Sequence, residues 1–148
     1  MKLQRRVLIR SLFTAAAVLA VPRWLFAARP EKAFDAKDTE TVTSDLFDGP
    51  ITESDQVTLK IPDIAENGAV VPVTVSTDLA DVESISVIVD NNPTPLAAMF
   101  ELSPQSVPDI SVRIKMGESS IVRAVVKAGG KFYSASKEVK VTIGGCGG

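Results

Sequence analysis

From residue 51 onward apolar residues recur at every second position, the spacing that turns one face of a β-strand toward a core. Val57, Leu59 and Ile61 share a face in VTLKI, and Val71, Val73 and Val75 do so in VPVTV. Ile85, Val87 and Val89 repeat the pattern in SISVIV, as do Ile110, Val112, Ile114 and Met116 in ISVRIKM. Three more strands are predicted near residues 121–128, 131–136 and 139–143. Gly129-Gly130 joins the first two, since glycine accepts the positive φ angles of a tight hairpin. Turn chemistry separates the others: AENG at 65–68, DNNPTP at 90–95, SPQSVPD at 103–109 and GES at 117–119. Seven or eight short strands without a βαβ rhythm predict an all-β fold, an immunoglobulin-like antiparallel β-sandwich. Ile88 and Ile121 fall on the face away from its core, where a partner interface or a second packed sheet would cover them.

Ahead of the strands the period changes. Phe34, Thr41, Val42, Leu46 and Phe47 follow helical spacing up to Gly49-Pro50, a stop signal, so residues 29–50 are read as a short N-terminal helix and linker. Residues 1–28 have the layout of an export signal: Lys2, Arg5, Arg6 and Arg10, then the apolar SLFTAAAVLAVP, then small residues in LFAA for cleavage. The apolar run falls short of the ~20 residues of a membrane span, so no stable membrane insertion is expected. RRVLIR, with Arg23 beyond the apolar run, is similar to the twin-arginine export motif, although Gln4 stands where Ser or Thr is usual. The expected destination is the periplasm, reached already folded. The general secretory route is the alternative. The chain therefore divides into a leader (1–28), a helix and linker (29–50), a sandwich (51–143) and a tail (144–148).

Cleavage alters the charge. Without Lys2, Arg5, Arg6, Arg10 and Arg23, eleven basic residues face eighteen acidic ones, and the net charge moves from −2 to −7. Such a surface repels nucleic-acid phosphates and draws in no anionic substrate.

What chemistry remains is decided largely by composition. The chain has no histidine, so neither a Ser-His-Asp nor a Cys-His arrangement can form. One cysteine and carboxylates make a poor ligand set for zinc or copper, and no glycine-rich phosphate loop sits between a strand and a helix. No metal or cofactor is expected. Carboxylates such as Asp78 with Asp81, or Glu118 with a neighbour, read as solvated loop charges rather than acid/base pairs. The remaining reactive group is Cys146, set between Gly144-Gly145 and Gly147-Gly148. Glycine neighbours offer nothing to bury a thiol, and one cysteine has no partner for an internal disulfide. Prenylation would need the cysteine fourth from the end, and lipid attachment would need it at the cleavage site. A thiol on a flexible arm, modified and passed between proteins through its thiolate, is the expectation. An intermolecular disulfide in an exported interaction module is the alternative.

With those residues in view, the chain resembles the SoxY family, the sulfur-carrier subunits of the thiosulfate-oxidising Sox system. The likeness is carried by GGCGG after EVKVTI, by PDIAENGAVVPVTV at 62–75, by VDNNPTPLAAMFEL at 89–102 and by residues 113–148. It implies that Cys146 is the covalent attachment point for thiosulfate-derived sulfur and that Gly144, Gly145, Gly147 and Gly148 form the carrier arm. It also implies a carrier that is not itself an enzyme, paired with a SoxZ-like β-sandwich subunit. A c-type cytochrome, a hydrolase and a sulfane dehydrogenase would process the cargo. Ubiquitin-like sulfur carriers also end in Gly-Gly, but they act in the cytoplasm and lack the tail cysteine.

Overall fold

A computed structural model of the chain describes residues 29–143, so the leader (1–28) and the glycine-cysteine tail (144–148) lie outside the described residues. Two short helices come first, α1 (Glu31–Asp35) and α2 (Thr39–Leu46). Nine strands follow among the described residues: β1 (Ile51–Glu53), β2 (Val57–Lys60), β3 (Ile64–Ala65), β4 (Val71–Thr77), β5 (Val82–Val89), β6 (Leu96–Glu101), β7 (Asp109–Ile114), β8 (Ser120–Ala128) and β9 (Lys131–Val141). The larger sheet has the order β1-β9-β8-β5-β6, with β3 also paired to β9, and the smaller has the order β2-β4-β7. The two stack as an immunoglobulin-like β-sandwich.

The core between the sheets follows the alternation in the sequence. Val57, Val71, Val73, Val75, Ile114 and Met116 of the smaller sheet meet Ile85, Val87, Val89, Val122, Ala124, Val126 and Val139 of the larger one, all buried. Burying each large aliphatic side chain is worth about 1.5–3 kcal/mol, so this layer is the main source of stability. Between β8 and β9, Gly129 and Gly130 adopt φ of 53° and 72°, the left-handed pair that a two-residue hairpin requires.

A second apolar layer lies on the outer face of the larger sheet. Ile88, Leu96, Val125 and Phe132 are buried there beneath Ala33, Ala36, Val42 and Phe47. Phe47 meets Phe132 edge to face, with ring centroids 5.2 Å apart, which fastens the end of α2 to β9. Ile88 is thus covered by the protein's own helices, whereas Ile121, further along the same face, stays 40% exposed.

Several elements differ from the sequence expectation. The single N-terminal helix is two, because Asp38 takes an extended conformation (φ −142°, ψ 153°) and caps a new helix through the Thr41 amide. The strands expected at 131–136 and 139–143 are one continuous β9, which pairs without a break along β8 from Lys131 to Val139. Strands β1, β3 and β6 were not anticipated. Nor is every ladder antiparallel: β1 and β3 both run parallel to β9.

Candidate functional site

The last described residues are where the tail begins, and an unusual density of hydrogen bonds holds them. Strand β9 continues past its hairpin partner to Val141, and β3 lies beside that extension, pairing Ile64 with Lys140 and Ala65 with Val141. The Lys140 amide donates to Asp63 O (2.9 Å) and the Thr142 amide to Ala65 O (3.1 Å). Thr142 Oγ1 donates to Glu66 O (2.8 Å), and the Gly68 amide donates to Ile143 O (2.7 Å). Gly68 O in turn accepts from the Met116 amide (2.7 Å), which ties the segment to the end of β7. On the other flank Ser119 Oγ accepts from the Val141 amide (2.9 Å). Lys137 Nζ reaches both Ile61 O (2.9 Å) and Asp63 Oδ1 (2.8 Å), which fixes the stretch leading into β3.

The local sequence explains this. A two-residue strand has too few ladder bonds to hold itself, so residues 61–68 depend on what they find across the chain. Asn67 Oδ1 accepts from the Ala69 amide (2.8 Å), an Asx turn that bends the backbone back toward β4 after Gly68 has met Ile143. The result is a main chain gripped from both sides as far as Val141 and from one side as far as Ile143. Cys146 is three residues further on, and three extended residues span at most ~10–11 Å.

Cys146, Gly144, Gly145, Gly147 and Gly148 themselves lie outside the described residues. Asp78 and Asp81 are exposed in the turn between β4 and β5, at the opposite end of the sandwich, and Glu118 is exposed before β8. No shared site brings these three carboxylates together. Among the described residues, the carboxyls displaced from their ordinary range are not among those that hold the start of the tail. Asp38 is held low by hydrogen bonds from the Thr41 amide and hydroxyl. Glu83 is held low first by Lys127 and then by the Gly130 amide, at the hairpin end. Among the described residues no group of three His, Cys, Asp or Glu side chains could hold a metal ion, and no helix is long and apolar enough to cross a membrane.

The model of the family described as sulfur oxidation protein SoxY matches residues 43–146, the whole sandwich and the tail up to its cysteine. The chain belongs to the SoxY family. Among solved structures it is similar to the sulfur carrier protein SoxY from Chlorobium limicola f thiosulfatophilum, at 41% identity, TM-score 0.63, over 70% of this chain and 94% of that one. It is also similar to a superoxide reductase (neelaredoxin) from Ignicoccus hospitalis, at 17% identity and TM-score 0.53, over 58% of this chain and 80% of that one. A substituted form of that reductase aligns at 16% identity and TM-score 0.54, over 62% of this chain and 94% of that one. Those two likenesses concern the fold alone. No curated protein matches the chain. Within the SoxY match, the anchorage of β9 by residues 61–68 is what sequence reasoning missed. AENG was legible as a turn, but nothing local announces that Gly68 and Asn67 close it onto a strand at the far end of the chain.

Proposed function

We propose that this SoxY chain is a periplasmic covalent sulfur carrier, exported folded by the twin-arginine route, that bears thiosulfate-derived sulfur on Cys146 and presents it to partner enzymes. The observation that carries the reading is the grip on Ile143. It supplies a fixed base three residues before the thiol, and the family match runs on to residue 146. The chain's role is to hold and deliver; the redox and hydrolytic steps belong to the partners. A c-type cytochrome takes two electrons as the Cys146 thiolate and thiosulfate form a sulfur–sulfur bond, which gives a Cys-S-thiosulfonate. A hydrolase adds water to the terminal sulfone and releases sulfate and two protons, leaving a persulfide on the carrier. A sulfane dehydrogenase removes six electrons with the addition of three waters, and a second hydrolysis returns the thiolate and a second sulfate. A SoxZ-like sandwich completes the carrier complex. The membership supports a sulfur-oxidation role and argues against the alternative of a module using Cys146 for an intermolecular disulfide.

Intact-mass spectrometry after incubation with thiosulfate and the oxidising cytochrome tests the reading. The expected result is a reductant-reversible mass gain at Cys146, absent in Cys146→Ser, with the variant's melting temperature close to wild type because no packed side chain is lost. A disulfide-linked dimer with no sulfur adduct would refute it.

A further inference from the structure

Six large apolar residues are exposed among the described residues, and four of them gather at the end where the tail leaves. Ile143 (68% exposed) is the anchored residue itself, and Ile64 (57%) lies beside Lys140 in the β3–β9 ladder. Val70 (53%) comes two residues after the Gly68 amide that grips Ile143, and Ile121 (40%) faces Glu138 across the β8–β9 ladder. The other two are elsewhere. Ile51 pairs with Phe132 at the hairpin end, and Val107 precedes Pro108, whose carbonyl accepts from Thr77 at the far end of β4. From Phe132 to Val141 the strand is roughly 30 Å long at ~3.3 Å per residue, so the two groups are at opposite ends.

Single exposed apolar residues need no explanation, but several placed around one point on a chain this acidic do. The covalent distance supplies one. Whatever enzyme encloses the thiol in an active site must bring its own surface within about 10 Å of Ile143, the limit set by three extended residues. That surface then lies over Ile64, Val70 and Ile143. The charges at this end are mixed: Asp63, Glu66, Glu118 and Glu138 stand among Lys115, Lys137 and Lys140, and Asp63 is already paired with Lys137 at 2.8 Å. Without a single-sign field here, contact depends on apolar burial rather than on charge pairing.

We infer that Ile64, Val70 and Ile143 form an apolar docking collar around the base of the thiol tail, and that its occupant is the apolar, weakly charged rim of the active-site mouth of an enzyme that processes the Cys146 adduct. The inference rests on the carrier reading. One collar at the base of one arm lets several enzymes use the same contact in turn, each holding it only while the thiol is inside.

The test uses the full carrier complex loaded with the thiosulfonate, with sulfate release by the partner hydrolase as the readout. Ile64→Asp and Val70→Asp, singly and together, are compared with Val107→Asp at the far end. The collar variants should raise KM about tenfold or more while leaving kcat near wild type, since each loses roughly 1.4 kcal/mol of encounter-complex contact. Alkylation of Cys146 by iodoacetamide should be unchanged in all of them, and Val107→Asp should behave as wild type. Should the paired substitution lower the melting temperature, Ile143→Asp, beyond the last strand, carries the same comparison. An unchanged KM in the collar variants, with wild-type turnover intact, overturns the collar and leaves the carrier reading standing. A variant that alters only self-association of the carrier assigns the surface to a second copy and overturns it too. A wild-type chain that takes no sulfur at Cys146 overturns both.

Discussion

Ser86 occupies a place in β5 where the alternation of the sequence and the packing of the fold part company. Its position in SISVIV is the polar one, the side expected to face water, yet it is fully buried, because helices α1 and α2 cover part of that face of the larger sheet. Its hydroxyl has no hydrogen-bond partner, the one such buried side chain among the described residues. A buried polar atom without a partner carries its desolvation cost uncompensated. Ser86→Ala should therefore stabilise the protein by about 1 kcal/mol, measured by urea denaturation at constant m-value. A loss of stability would show that the hydroxyl has a bonding role. The same residue marks a limit of sequence reading: Ile85, Val87 and Val89 were legible as core from their spacing, but burial of Ser86 and Ile88 depended on where the N-terminal helices would pack. Cys146 was singled out on a different ground, since glycines on both sides offer nothing to pack a thiol, and it lies outside the described residues.

Among the elements, those whose signal is local were readable and those that borrow their stability were not. The Gly129-Gly130 hairpin announces itself in two residues. Strand β6, LAAMFE, does not alternate, because it lies at the sheet edge, with one side chain buried and four half-buried. Strands β1 and β3 are three and two residues long, and each exists only because β9 is there to pair with it. The break between α1 and α2 was missed because Asp38 reads equally well as an exposed helical position and as a cap. The cap has a pH signature. Its folded-state pKa is depressed, chiefly by the Thr41 amide hydrogen bond, so its stabilisation is full above the unfolded value near 3.8 and fades as the pH falls through the lower folded value. Asp38→Ala should melt below wild type at neutral pH, with the gap narrowing on acidification. Calorimetry from pH 7 down to pH 2 follows it, and a gap of constant size would mean that the carboxylate charge is irrelevant to the cap.

For the whole molecule, the proposed leader and the charge that its removal would leave set the context. Arg5→Lys with Arg6→Lys should leave the folded chain in the cytoplasm, together with any partner subunit that lacks a leader of its own; immunoblotting of periplasmic and cytoplasmic fractions reads the outcome. Export of both proteins at the wild-type level would instead favour the general secretory route. The division of the sandwich into two apolar layers has a consequence at this scale as well, since α1 and α2 cover the larger sheet's outer face from Phe132 to Ile88 and leave Ile121 exposed. Strand β9 lies just inside the edge of that sheet, bonded to β8 on one flank and to the short β1 and β3 on the other, and the tail follows it in sequence. A pull transmitted along the axis of β9 would load those ladders in shear, where many hydrogen bonds share the force at once instead of opening one after another. On the proposed carrier cycle, in which partners take up and release the tail, β9 is thus braced against a pull along its own axis.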